Sequence, residues 1–212
     1  MEKYNKLVSN KTRDRLKSKF KVCRNGPTNS YTVSSPIGNI VITSCPKGLH
    51  TVGQADDVTD ENFHPESNIT VKLIGQQWSD NGYTYKPALL CIDWIKVYFI
   101  NPKETLKTSL PPFCSCISSV SGSYREKVWK TLAEQVPVGS TISYGELAKL
   151  TGNPHASQAV GSAMRNNPIQ LLVPCHRVVR SNGSLGLYSN GTRNKVKEWL
   201  LMHEGISDFK KM

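Results

Sequence analysis

The sequence predicts an α/β protein in two parts: a small N-terminal antiparallel sheet with one helix, then a mostly helical, winged-helix-like C-terminal region with a helix-turn-helix. Three observations lead there. β-rich runs broken by Pro/Gly turns fill residues 30–53. Apolar residues at helical spacing mark 86–100 and 124–136. A capped short helix, a Gly-Asn-Pro turn and a second short helix occupy 143–165. A chain of 212 residues is long enough for two cores. The expected boundaries are a basic arm at 1–27, an α/β part at 28–118 and a second part at 119–212.

In chain order, KTRDRLKSKFK makes the arm basic, and Asn25-Gly26-Pro27 closes it. YTVSS and NIVITS read as strands across Pro36-Ile37-Gly38, and Pro46-Lys47-Gly48 turns into a third at Leu49–Val52. Residues 54–70 are polar, acidic and aperiodic, and are expected to be a mobile loop. VKLIG is a further short strand. In KPALLCIDWIKVYFI, Leu89, Ile92, Ile95 and Phe99 define the expected buried face of a helix, which Pro102 and Pro111-Pro112 end. YREKVWKTLAEQV places Val128, Leu132 and Val136 on one face. Ser143, with Glu146 three positions on, is a capping-box signature for a helix to Leu150. After Thr151–Pro154, a second helix is expected from about His155 to Arg165. Its many small residues permit two readings: close packing in a core, or a backbone that approaches a nucleic-acid surface.

Composition narrows the function classes. Hydrophobic residues at 38% argue against wholesale disorder. No run reaches the roughly 18 apolar residues that span a bilayer, and MEKYNKLVSNKTR lacks an apolar leader segment. An intracellular setting is expected, with the six cysteines reduced, metal-bound or catalytic. The formal charge of +11 is uneven: +7 in residues 1–24, −2 in 25–123 and +6 in 124–212. Such a pattern suits a polyanion, nucleic acid before membrane.

The pointed chemistry lies in Val173-Pro174-Cys175-His176-Arg177-Val178-Val179. A thiolate is the nucleophile, and a free thiol of pKa ~8.5 is mostly protonated at neutral pH. An adjacent imidazole can take that proton, and a carboxylate can orient the imidazole. Glu204, in His203-Glu204-Gly205, is the available carboxylate.

PCHRVV resembles the acceptor-cysteine motif of the O6-alkylguanine-DNA alkyltransferases, the methylated-DNA–protein-cysteine methyltransferases. ISYGELAKLTGNPHASQAVGSAMRNNP is similar to that family's helix-turn-helix block, and VKEWLLMHEG to its terminal helix. SPIGNIVITSCPKGLH and LLCIDWIKVYFINP resemble the vertebrate-type N-terminal domain more loosely. The resemblance covers about residues 28–206. It implies DNA repair by single-turnover transfer of an alkyl group from O6 of guanine, and from O4 of thymine, to Cys175. His176 would draw the thiol proton through water, with Glu204 behind it. Asn167 would brace the turn before the cysteine, and Tyr144 would help rotate the lesion out of the duplex and donate to the leaving base. Tyr188 and Ser189 would form the lid of the guanine pocket and Met164 part of its floor, with the Cys175 and Val178 carbonyls accepting from the base. Flipping is required because the alkyl carbon is out of a cysteine's reach inside the stack.

The same resemblance implies double-stranded DNA as partner, bound through the minor groove, about 6 Å wide. Ala156, Ser157, Gln158, Ala159, Gly161, Arg165, Arg177 and Ser181 are the expected DNA contacts. A nuclear location, a monomer in solution that can assemble cooperatively on DNA, and no cofactor for transfer are expected, with no membrane role. A structural zinc is the one expected metal: Cys45 and His50 match two of the family's ligands, Cys23 lies in the right region, and Cys114 or Cys116 would replace a histidine, with Cys114 preferred. The alternative is four reduced cysteines with no metal.

The chain departs from the family at three places. Gln158 stands where an arginine usually inserts into the base stack, Gln170 stands for a proline of the pocket lip, and NGTRNK at 190–195 is about two residues longer than the usual segment. Three other functions compete. A lesion binder without transfer conflicts with Cys175, a transcription regulator conflicts with the nearly neutral second helix, and a Cys-His hydrolase would turn over repeatedly.

Overall fold

The computed structural model describes residues 23–77, 84–118 and 122–210. Most of the basic arm, residues 1–22, lies outside them. Four strands form one antiparallel sheet: β1 (Asn29–Ser34), β2 (Ile40–Cys45), β3 (Gly48–Gln54) and β4 (Lys72–Gln77), in the order β3-β2-β1-β4. Period-two alternation in β1 and β2 sends Tyr31, Val33, Ile40 and Ile42 to one buried face. Gly38, at φ +97°, makes the hairpin turn that Pro36-Ile37-Gly38 signals.

Helix α1 (Lys86–Ile100) covers that face. Its bounds are as expected, but its buried stripe differs. Ala88, Cys91, Ile92, Ile95 and Tyr98 point inward, whereas Leu89 is 44% exposed and Phe99 only partly buried. On a helix apolar almost all round, spacing alone does not choose the stripe; contact with the sheet does.

The second half begins with α2 (Tyr124–Gln135), capped by Ser123 and buried through Val128, Trp129 and Leu132. A two-residue strand β5 (Ile142–Ser143) runs into α3 (Tyr144–Leu150). The capping box is fully formed: Glu146 N–H donates to Ser143 Oγ at 3.2 Å, and Ser143 N–H to Glu146 Oε2 at 2.8 Å. Helix α4 (Ser157–Arg165) starts two residues later than expected, because Asn153–Ala156 closes a turn of its own. Trp129 Nε1 donates to the Ala163 carbonyl and fixes α4 on α2. Strand β6 (Val178–Val179) pairs in parallel with β5, which sets the Cys175–Arg177 turn beside the start of α3. Helix α5 (Asn194–His203) ends at Glu204.

One continuous buried cluster runs from Tyr31 in the sheet to Leu200 in α5. Loop 54–70 is docked rather than loose: Phe63 is buried, and the Gln54, Ala55 and Val58 carbonyls accept from Arg193. Strand β3 also reaches the second half. Val52 N–H donates to Pro168 O, and Gln170 N–H returns to Val52 O at 2.7 Å. The next residue, Leu171, has φ +70°, and Leu172 N–H bonds back to Gln170 O across it, a tight three-residue turn that L-residues adopt only under strain.

Candidate active site

Cys175 is buried, at 7% exposure, at the head of a single 3₁₀ turn that also carries His176 and Arg177. Burial pushes its thiol up. Opposing that are Asn167, the Lys197 ammonium and the Tyr188 hydroxyl. The sulfur therefore rests as a thiol, in surroundings that would favour the anion once a base removes the proton.

The adjacent imidazole sits in a buried network. His176 Nε2 lies 2.7 Å from Glu204 Oε1. A carboxylate only accepts, so Nε2 carries the hydrogen, and Nδ1 of the neutral ring keeps its lone pair. Nδ1 is buried and has no hydrogen-bond partner among the described residues. Burial holds the imidazole below its ordinary pKa, while Glu204 pulls the other way. Burial alone would raise Glu204, but His176 and Arg177 hold its carboxyl well below the usual range.

Arg177 is the clearest correction to the expected DNA contacts. It is 5% exposed, donating from Nε to Glu204 Oε2 at 2.8 Å, from Nη2 to Oε1 at 2.9 Å and from Nη1 to the Val136 carbonyl at 2.7 Å. A guanidinium engaged in this way is not available to phosphate. The arginine type in RVV suggests a surface cation; only burial reveals its partner.

Two further buried polar residues, one in this network and one beside the cysteine, carry no motif of their own in the sequence. Tyr98, on α1, donates to Glu204 Oε1 at 2.8 Å. Lys197, on α5, is 1% exposed and donates to the Val178 carbonyl at 2.6 Å and to the Leu185 carbonyl. Burial lowers its pKa to about 8. A lysine in VKEWLL at the spacing of Leu200 and Leu201 is the signal that could have found it. The Val178 carbonyl expected to meet the base is thus engaged already, with one lone pair remaining.

The other expected residues fall around the cysteine. Asn167 Nδ2 donates to Val173 O at 2.8 Å, and its Oδ1 accepts from Ile169 N–H at 3.0 Å, which pins the turn before Cys175. Tyr188 is buried against the sulfur, and Ser189, at φ +48°, follows it. Met164 is partly buried against the core. Tyr144 lines an open groove of about 430 Å³ with Gly145, Ser157, Arg180, Ser181 and Asn182.

Along α4, Val160 and Ala163 face inward, whereas Ser157, Gln158, Ala159, Ser162 and Arg165 are exposed; Ala156 and Gly161 are half-buried. The exposed small side chains do not serve packing. The outer face is one a second backbone could approach closely.

A second cluster lies at the far end of the sheet. Ligand atoms of Cys23, Cys45, His50 and Cys114 all fall within 4.8 Å of one another. Cys114 Sγ is 3.8 Å from Cys23 Sγ and 3.6 Å from Cys45 Sγ. Sulfurs 2.3 Å from a shared tetrahedral ion would be about 3.8 Å apart. Each of the three sulfurs accepts a backbone N–H from two residues on, in Asn25, Lys47 and Cys116. His50 Nε2 is buried without a described partner, and burial keeps that ring neutral, the form that ligates. Cys116 lies outside the group although its sulfur is 3.8 Å from Cys23. Gly48 makes the cluster possible, since a Cβ there would sit 2.4 Å from Cys114 N. The donor set fits a metal ion.

A family model described as "6-O-methylguanine DNA methyltransferase, DNA binding domain" matches residues 123–206. The methylated-DNA–protein-cysteine methyltransferase of Mus musculus is 40% identical over 177 residues, spanning 83% of this chain and 81% of that one. This chain belongs to that family. The methylated-DNA–protein-cysteine methyltransferase of Homo sapiens is 37% identical, across 82% of this chain and 79% of its own. Among solved structures, Mycobacterium tuberculosis OGT in complex with DNA shares 27% identity, with a TM-score of 0.58 over 82% of this chain and 90% of that one. A methylated-DNA–protein-cysteine methyltransferase repairs DNA by moving an alkyl group onto a cysteine of the protein, and the fold is the family's mixed α/β fold. Among the described residues, no helix is long and apolar enough to cross a membrane.

Proposed function

We propose that Cys175 is the acceptor, and that it takes the alkyl group from O6 of guanine, and from O4 of thymine, in double-stranded DNA. The observation that carries this is the buried Cys175 thiol beside His176, whose Nε2 is bound to the Glu204–Arg177 pair. His176 Nδ1 removes the thiol proton, through water. Glu204 stabilises the resulting imidazolium, and Lys197, Asn167 and Tyr188 stabilise the thiolate. The S–C bond forms in line as the C–O6 bond breaks, and the electron pair leaves on the guanine. Tyr144 donates to that leaving base. The thioether is not hydrolysed, so each molecule acts once.

Base access requires flipping. The exposed face of α4 enters the minor groove, with Ala156, Ser157, Gln158, Ala159 and Gly161 closest and Arg165 on phosphate. Arg180, rather than Arg177, joins it from the rim, beside Ser181. Ser189 and Tyr188 cover the base, and Met164 lies beneath. The division at residue 118 belongs to this reading: sheet and α1 precede it, and the matched DNA-binding region starts at residue 123.

Cys23, Cys45, His50 and Cys114 would hold a structural zinc remote from the reacting sulfur. The metal would tie the segment after α1 to the sheet and supply no chemistry to transfer. A nuclear location and a monomer that assembles cooperatively on DNA complete the reading.

The deciding experiment is a mass measurement of the Cys175 peptide after incubation with an O6-methylguanine duplex. One added methyl per chain is expected. Repeated turnover, or no adduct, would overturn the assignment. Cys175→Ala should bind the duplex and transfer nothing.

A further inference from the structure

The acidic loop after β3 and the long segment before α5 meet in one clasp. Arg193 is 9% exposed, and its guanidinium donates to two carbonyls of the loop, Val58 at 2.8 Å and Ala55 at 2.9 Å, and to that of Gln54 at the end of β3 at 3.2 Å. Asp60 answers in the other direction. Its carboxylate accepts the N–H groups of Asn194 at 2.9 Å and Lys195 at 2.7 Å, and its own N–H donates to Thr192 O at 2.7 Å. Helix α5 has no side-chain cap from its own N-cap residue. Asp60 supplies that cap from 134 positions earlier in the chain.

The clasp continues into the turn that follows Tyr188. Asn194 Oδ1 accepts from Tyr188 N–H at 2.9 Å, and Asn194 Nδ2 donates to Gly191 O at 3.0 Å. Ser189 and Asn190 both have left-handed φ, +48° and +61°. Two such residues in succession persist only where neighbours over-determine them. Asn194 is therefore held on its backbone by Asp60 while its side chain holds Tyr188, whose hydroxyl meets the Cys175 sulfur.

We propose that Asp60 and Arg193 are positioning residues that fix the Tyr188–Thr192 lid over the alkylated base, and so set which alkyl groups the pocket accepts. This rests on the reading of Tyr188 and Ser189 as the cover of the flipped guanine. The ligand class is an extrahelical O6-alkylguanine, with small adducts favoured by a tightly held lid. The clasp reaches the site through the Tyr188 backbone and touches neither His176 nor Glu204, so base binding depends on it more than proton transfer does.

The test uses the full chain as wild type, Asp60→Ala, Asp60→Asn and Arg193→Lys. Transfer to Cys175 is followed in single turnover against duplexes bearing O6-methylguanine or O6-benzylguanine. In Asp60→Ala and Arg193→Lys, the half-saturating concentration of methyl duplex should rise about tenfold, with the saturating rate within about twofold. The preference for methyl over benzyl should fall in the same variants. Asp60→Asn keeps an acceptor oxygen and should restore most of both. Unchanged half-saturation and unchanged preference in Asp60→Ala and Arg193→Lys would overturn the proposal. So would a loss confined to the saturating rate, or failure of all three variants to fold, since each makes the clasp merely structural. A wild-type chain that leaves Cys175 unmodified would instead sink the reading of the site itself.

Discussion

Tyr98 Oη donates to Glu204 Oε1 at 2.8 Å, joining the helix that covers the sheet to the carboxylate behind His176. Both residues are buried, and the same oxygen also meets His176 and Arg177. The first half of the chain thus reaches into the buried His176–Glu204–Arg177 network. Tyr98→Phe keeps the ring packing and removes one donor to the carboxylate. A less satisfied carboxylate holds a proton on His176 more strongly, so the acid limb of the transfer-rate profile should move to higher pH. Unfolding stability should fall by about 1–3 kcal/mol. A profile that does not move would show that Tyr98 only packs.

Glu204 gives a pH dependence with a definite sign. Its folded-state pKa is depressed, so its contribution to stability is full above the ordinary carboxylate range and is lost as pH falls below that range toward the folded value. Glu204→Gln should cost about 3–5 kcal/mol at neutral pH, because Arg177 is left buried without its counter-charge. The gap between wild type and variant in denaturant melts should close with acid; a gap constant from pH 7 to pH 3 would contradict this.

Arg177 and Arg180 should separate cleanly. Arg180→Ala should lower DNA affinity and reduce the slope of log K against log salt by about 0.9, the release of one phosphate contact. Arg177→Lys should lower the unfolding midpoint, because one ammonium cannot replace a fork that serves Glu204 and Val136. It should leave the salt slope of any folded fraction alone. Salt titrations of both variants decide the point.

Gln158 is exposed on the outer face of α4. A glutamine can hydrogen-bond an orphaned cytosine but lacks arginine's charge and broad planar cation. Gln158→Arg should therefore speed repair of an O6-methylguanine duplex. Equal single-turnover rates would remove the idea that base rotation is weakened here.

The metal reading separates two cysteines that stand two positions apart, Cys114 and Cys116. Chelator-free protein should contain one zinc per chain. Cys114→Ser should lose it and melt at lower temperature, while Cys116→Ser should retain it. Metal content near zero in wild type would leave the cluster as reduced thiols.

By itself, the sequence determined the order of the longer elements and the capping box at Ser143, and it singled out Cys175, His176 and Glu204; the donor set of Cys23, Cys45, His50 and Cys114 or Cys116 came with the family resemblance. Local rules suffice for these: strand alternation, cap spacing and paired chemistry are written in short segments, and the motifs carry the family resemblance. Tertiary structure decided what depends on contacts far apart in the chain. Spacing placed Leu89 inward, and the sheet chose Ala88 and Tyr98 instead. Residue type made Arg177 a DNA cation, and burial gave it to Glu204. Composition made residues 54–70 a loose loop, and Arg193 and Asp60 docked it. In each case the sequence shows a side chain's chemistry but not its partner, because the partner lies tens to more than a hundred residues away and is brought within 3 Å only by packing.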